Sequence, residues 1–346
     1  MTFRDGNRHR IYMLRLIWCL LLLCGLPLSA CGSRAFEATP FTLHSSIGPG
    51  DRHQGVRLLG ALRFNRADID DLPLCGLSGL AWDEDAGLLY ALSDQGTLFH
   101  LQPTFDEQGY LVGARSIAGY ALRDTAGKPV RYLFSDSEGL AIRNGANHIM
   151  DDTELLISFE MKPRIVRYSP TGQWRGEIPL PDTLRNPYNY RNGNESLEAV
   201  TIDQRWGIIT GSEVPLRNDP PKKLIRIFAT DGRFWLYPLG QAPGSALVAM
   251  DALPNGELLT LERAFVSPLQ PFSISLRRTV LPNPQKTVPL SVSDVAIFKS
   301  DQGWHLDNFE GLTRYRGARF FMVSDDNCSL VQTTLLVYFE LLNQTP

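Results

Sequence analysis

Histidine is scarce in this chain, with six in 346 residues. His44, His53, His100, His148 and His305 are scattered through polar stretches, at no spacing that would let them share a zinc ion. A phosphate loop and a dinucleotide fingerprint are both missing, which excludes the common nucleotide-binding folds. Gly76-Leu77-Ser78-Gly79 is not the Gly-x-Ser-x-Gly elbow, and its serine falls at a strand start rather than a strand-to-helix turn. No Lys/Arg cluster stands out and the formal net charge is −3, so nucleic acid is not an expected partner. Long amphipathic helical stretches are absent, which leaves strands to build the core.

What is present begins with a targeting segment. Arg4, Arg8, Arg10 and Arg15 precede an apolar stretch, Ile17 to Leu28, too short for a membrane-spanning helix of roughly 20 residues. Residues 1–30 are therefore expected to be a signal peptide. Leu28-Ser29-Ala30-Cys31 resembles the bacterial lipobox, which implies a lipidated Cys31. Ordinary signal-peptide cleavage near Cys31 is the alternative. Gly32 stands where an Asp would resemble an inner-membrane retention signal, so outer-membrane anchoring is expected, with the domain in the periplasm or at the cell surface. Residues 31–54, rich in Ser, Gly, Pro and Thr, read as a flexible tether. Residues 55–346 are long enough to bury a large core and form the folded domain, expected to be monomeric.

Of five cysteines, Cys19 and Cys24 lie in the signal peptide and Cys31 would carry the lipid. Cys75 and Cys328 remain, near the two ends of the domain. Export permits a disulfide between them; two buried free thiols are the other reading.

A recurring unit organises the domain. Apolar strand openings stand at Leu77-Ser78-Gly79-Leu80, Ser137-Glu138-Gly139-Leu140, Leu197-Glu198-Ala199-Val200, Leu247-Val248-Ala249-Met250 and Phe309-Glu310-Gly311-Leu312. Each is followed by a turn and a second strand ending at Asp94, Glu160, Glu213, Glu262 or Asp325. Such a period marks a repeat architecture. Turn residues punctuate β-branched and aromatic runs into four strands per unit, such as Ala199–Asp203, Ile208–Glu213, Lys223–Ala229 and Phe234–Leu239. The pattern predicts an all-β fold, a β-propeller of four-stranded blades. Five blades follow from five units; a sixth would require the proline-bearing stretch from Phe265 to Lys299 to hide an extra one. The last unit supplies only three strands, so the N-terminal stretch Val56–Phe64 is expected to close the ring. Closure would make the first and last units neighbours and bring Cys75 and Cys328 together.

Residues equidistant from a hairpin turn lie opposite each other. By that rule Glu198 faces Glu213 and Glu310 faces Asp325. Glu138 faces Glu160, while Asp94 and Glu262 face Ser78 and Val248. All would gather at one mouth of the central channel. So many carboxylates cannot stay ionised and unpaired together. Cations, Arg or Lys partners, or retained protons must relieve them. An all-oxygen donor set suits Ca²⁺. Lys162, Arg164, Arg217, Lys222 and Arg263 follow the second strands and could pair with the acids or hold a substrate phosphate.

Gly76–Leu80 with Leu89–Asp94, Asp136–Leu140, Asn308–Leu312 and Val323–Asn327 resemble the motifs of the phytase-like family ("esterase-like activity of phytase"). The resemblance runs from about Leu74 to Leu336. It implies an exported or envelope propeller associated with phosphoester hydrolysis. By analogy with calcium-dependent alkaline phytases, metal would be held among Glu138, Glu198, Glu213, Glu262, Glu310 and Asp325, with Glu160 and Asp94 as further ligands and Lys162 and Arg263 near phosphate. The third unit departs with Ala199-Val200, and the fourth carries Val248 in place of Glu. Expected partners are a small phosphorylated or ester substrate, or an envelope protein. A non-catalytic binding propeller and a calcium-dependent lactone or ester hydrolase are the alternatives.

Overall fold

The computed structural model describes residues 34–342 except 194, 220–222, 268, 269 and 286. The stretch expected to be a signal peptide, and Cys31, lie outside the described residues. Ala35 to the C-terminus forms one compact unit.

Four four-stranded antiparallel sheets and one six-stranded sheet make the five blades. Blade one comprises Leu77–Asp83, Leu88–Ser93, Thr97–Phe105 and Leu111–Ala121. Blade two comprises Ser137–Arg143, Glu154–Phe159, Arg164–Tyr168 and Trp174–Ile178. Leu197–Asp203, Gly207–Ser212, Leu224–Ala229 and Phe234–Pro238 form blade three. Blade four is Ser245–Ala252, Glu257–Ala264, Ser273–Val280 and Val292–Lys299. The stretch after Phe265 thus supplies the outer half of blade four, and there is no sixth blade among the described residues. In blade five, Asn308–Arg314, Arg319–Asp325 and Leu335–Leu341 are completed by Val56–Phe64 from the other end of the chain. That shared sheet closes the ring.

One expectation fails at the N-terminus. Much of the stretch read as a flexible tether is folded: Ala38–Pro40 pairs with Leu62–Phe64, and Arg52–His53 pairs with Val56–Arg57. Leu43 is buried, while His44 and His53 pack on Trp304. Its polar composition concealed a few anchoring side chains that cover the outer edge of blade five, where an open strand would otherwise expose unpaired amides.

The core lies between blades rather than within any one of them. Five apolar clusters form, one for each pair of neighbours. Strand alternation produces this directly: Ile157 faces blade one, whereas its neighbour Leu156 faces blade three. Both faces of each inner strand are covered, so these strands read as near-continuous apolar runs.

All five inner strands carry a register shift at the same place, the residue or pair after Leu77, Ser137, Leu197, Leu247 and Phe309. A bulge adds a residue on one strand and bends it. Beside each bulge the strands approach closely, which explains the recurrent small residue. A Cβ on Gly79 would stand 2.7 Å from the Glu138 carbonyl, and one on Gly139 2.6 Å from Ser158 Oγ. Cys75 and Cys328 are disulfide-bonded and clasp blade one to blade five.

Candidate cation site at the acidic channel mouth

The bulges decide which side chains reach the channel. The simple hairpin rule set Glu198 opposite Glu213. The shift instead pairs Leu197 with Ser212, so Ser196 faces Glu213 and Glu198 is the bulged residue. Glu138 and Glu310 occupy the same bulged position, with Ser78 and Val248 as their counterparts in blades one and four. At the strand-end position stand Asp94, Glu160, Glu213 and Asp325, facing Gly76, Asp136, Ser196 and Asn308.

Blade four breaks the expected pattern. Glu262 pairs with Leu247, the register position of Ser93, Phe159, Ser212 and Ser324 in the other blades. The strand-end position there belongs to Arg263, which faces Ala246. Glu262 leaves the mouth for a buried network. Its carboxylate accepts from Tyr237 Oη at 2.7 Å, Arg277 Nη1 at 2.7 Å, the Gly240 amide at 2.7 Å and Ser245 Oγ at 2.6 Å. With four donors it is a structural ion, not a free metal ligand. Spacing carried the signal: the strand-end residue follows the bulged one by 15 positions in blades three and five, and Arg263, not Glu262, follows Val248 by 15.

Eight carboxylates gather at the mouth: Asp94, Asp136, Glu138, Glu160, Glu198, Glu213, Glu310 and Asp325. Burial and then the Glu160 and Glu310 charges push the Glu138 carboxyl well above its usual range. Glu198 is raised likewise, by burial and then by Glu160 and Glu138. Burial raises Glu160 and Glu310 to about 8, Asp325 to about 7 and Asp94 to about 6. Glu160 Oε1 accepts from the Ser196 amide at 2.7 Å.

One cation answers part of this charge. Arg263 Nη2 donates to Glu213 Oε1 at 2.6 Å, and Nη1 donates to Glu310 Oε1 at 2.7 Å and to Asn308 Oδ1. Burial opposes its charge, but Glu310 and Glu213 hold the proton on. Lys162 does not reach the acids in this arrangement; its ammonium lies 3.8 Å over the Phe134 ring. Arg164 donates to the Lys162 and Phe134 carbonyls. Arg217 donates to the carbonyls of Tyr190 and Arg191, and Lys222 lies outside the described residues.

Blade two is therefore the less compensated side. Burial raises the Asp136 carboxyl, and the Arg164 charge draws it only part of the way back down. Among the described residues no ion pair reaches Asp136, Glu138 or Glu160. Oxygens of Asp136, Glu138 and Glu160 all lie within 4.8 Å of one another. Two oxygens on opposite sides of one calcium ion stand about 4.6–5.2 Å apart, from ligand distances of about 2.3–2.6 Å, so a single ion fits the group. Among the described residues no hydrogen-bond donor reaches the Glu138 carboxylate, which is 9% exposed. The adjoining Ser196 Oγ is buried without a partner among those residues. The donor set is all oxygen. Asp136 was not anticipated as a ligand, although its place opposite the strand-end Glu160 marks it.

Below the acids the channel narrows to a void of about 10 Å³ beside Leu80, Leu140, Val200, Met250 and Leu312, one side chain from each blade. Beyond this constriction the opposite mouth opens into a cavity of about 580 Å³. The acidic site is thus approached from one face only.

Fold and site define a class: a five-bladed propeller with a carboxylate-lined mouth. The sequence profile of the family described as "Phytase-like: Esterase-like activity of phytase" matches residues 72–328, and the chain belongs to that family. No curated protein matches the chain. Solved structures similar to it include the PQQ-bound aldose sugar dehydrogenase of Streptomyces coelicolor, 12% identical with TM-score 0.40, covering 85% of this chain and 99% of that one. The gluconolactonase XC5397 of Xanthomonas campestris is 12% identical with TM-score 0.36, covering 86% and 99%. The Cps50 (Swd1) β-propeller domain of Myceliophteria thermophila is 10% identical with TM-score 0.35, covering 87% and 99%.

Proposed function

We propose that this protein is an envelope-anchored, calcium-dependent propeller that acts on a small phosphorylated or ester substrate at the acidic mouth. The observation that carries the cation site is the Glu138 carboxylate, which no donor among the described residues reaches, with oxygens of Asp136 and Glu160 within 4.8 Å. These three residues would hold the ion, with Glu198 beside them. When bound, calcium would polarise a phosphoryl or acyl oxygen and lower the pKa of a coordinated water.

The chain's own groups set the terms of binding. Arg263 is neutralised by Glu213 and Glu310 and so has little charge left for a phosphate. Without a metal, the surrounding carboxylates repel an anion. Substrate binding, and not turnover alone, should therefore need the cation. Burial raises the Glu198 carboxyl, so beside the ion it would hold a proton near neutral pH, available to a leaving-group oxygen.

The test is an assay of phosphomonoesters and carboxylic esters with calcium and with chelator. Calcium-dependent turnover, lost in Glu138→Gln and in Glu198→Gln/Glu310→Gln, supports the proposal. The engagement of Arg263 and Lys162 favours a second reading, a calcium-stabilised propeller that binds a ligand without converting it. Calcium-dependent thermal stabilisation without turnover on either ester class selects that one.

A further inference from the structure

Exposed apolar side chains stand elsewhere too, Ile149 and Met150 among them. The most exposed ones, however, crowd the face that carries the acidic mouth, which the cation site does not explain. Large apolar side chains stand exposed on the loops that rise around it: Tyr132, Phe134, Tyr188, Phe265, Leu330 and Val331. Tyr132, Tyr188, Leu330 and Val331 are each more than 80% exposed. These residues come from connections at the acidic end of several blades. Arg131 and Arg191 are exposed immediately beside them. Aromatic and aliphatic groups interspersed with arginines suit a bilayer boundary, where apolar groups enter the acyl edge and cations meet phosphate headgroups.

The course of the chain supplies an independent argument. Along the edge of blade five that bears Asn308 and Asp325, Ser324 Oγ bonds the Thr333 carbonyl and the Phe64 amide bonds the Thr334 carbonyl. The Asn65 amide then bonds the Glu37 carbonyl, and Asn65 Nδ2 bonds the carbonyl of Ala35. The described chain thus begins on the same blade edge that carries the acids. Ala35 follows Cys31 by only four positions, and four extended residues span at most about 14 Å. A lipid on Cys31 would hold this edge within that reach of the bilayer.

We infer that this face docks by its apolar rim on the lipid surface to which the chain is anchored, with the acidic mouth opening toward the headgroups. The inference rests on the lipid-anchor reading for its second argument and on the exposed apolar rim for its first. Substrate would then arrive along the membrane surface rather than from bulk solvent.

The experiment uses the full processed protein, purified with its own anchor and reconstituted into phosphatidylethanolamine–phosphatidylglycerol vesicles containing doxyl-labelled lipid. Tyr188→Cys and Phe265→Cys, each labelled with an environment-sensitive fluorophore, report the acidic face. Met150→Cys, in the hairpin turn at the other end of blade two, reports the opposite face. Strong quenching at 188 and 265 but not at 150, weakened by Leu330→Asp/Val331→Asp, is the expected result. Equal quenching at all three positions, or none at 188 and 265, overturns the inference. Intact mass of the N-terminal peptide tests the anchor separately. An acylated peptide with no quenching at 188 and 265 refutes the docking while the anchor stands. If the peptide is unacylated, quenching at those positions on addition to the same vesicles supports the face alone, and its absence overturns the inference.

Discussion

Glu138 is the residue on which the cation site turns. Its carboxyl is raised by burial and then by the charges of Glu160 and Glu310, so the folded protein holds protons that the unfolded chain has released. For an acid raised in the folded state, stability is fully present below the unfolded pKa and falls as pH rises through the folded one. With Glu160 and Glu310 at about 8, metal-free protein should lose melting temperature steadily from about pH 5 to pH 8. Calcium should restore more at pH 8 than at pH 5, which calorimetric melting in chelator and in calcium measures. Glu138→Gln should melt higher than wild type in chelator at pH 8 and lose the calcium response. Arg263→Gln should act in the opposite sense. It leaves Glu213 and Glu310 buried without their partner, at a cost of about 3–5 kcal/mol in chemical denaturation.

At the scale of the element, the recurring inner strand and its bulge position the site. Gly139 lies where a Cβ would collide with Ser158 Oγ, the Val200 amide and the Glu198 carbonyl. Gly139→Ala should therefore destabilise the domain by about 1–3 kcal/mol and weaken calcium binding, since the strand carrying Glu138 must shift. Titration calorimetry beside urea denaturation separates the two effects. Strand order, hairpins and the N-terminal strand of blade five were legible in the sequence because each depends on local alternation and turn residues. The bulge was not. It adds a residue without a composition signal, so mirror pairing placed Glu198 opposite Glu213 and read Glu262 as an acid of the mouth. Glu262→Ala should destabilise the fold by leaving Arg277 to Asp294 alone, yet leave calcium affinity unchanged.

The propeller domain is a ring whose closure involves strands from both of its ends. Blade five borrows Val56–Phe64, and the disulfide ties that blade to blade one across 253 residues of sequence. On the chain-entropy model a loop of that length contributes about 5 kcal/mol. Reduction, or Cys75→Ala/Cys328→Ala, should lower the denaturation midpoint while leaving the circular dichroism of the native fold unchanged. The pairing was legible because a closed ring makes its terminal blades neighbours. The folded course of residues 38–53 was not, since its cover over blade five rests on a few side chains within a polar stretch. Convergence of the acids on blade two also emerges only in three dimensions, where Arg263 occupies the fourth blade's place and neutralises the opposite side of the mouth.

Calcium titration by calorimetry at pH 8 tests the central claim most directly, on wild-type protein and on Glu138→Gln, Asp136→Asn and Glu262→Gln variants. The cation site predicts saturable binding to wild type and to Glu262→Gln, and its loss in Glu138→Gln and Asp136→Asn. Binding undiminished in the blade-two variants, or no binding to wild type, would contradict it.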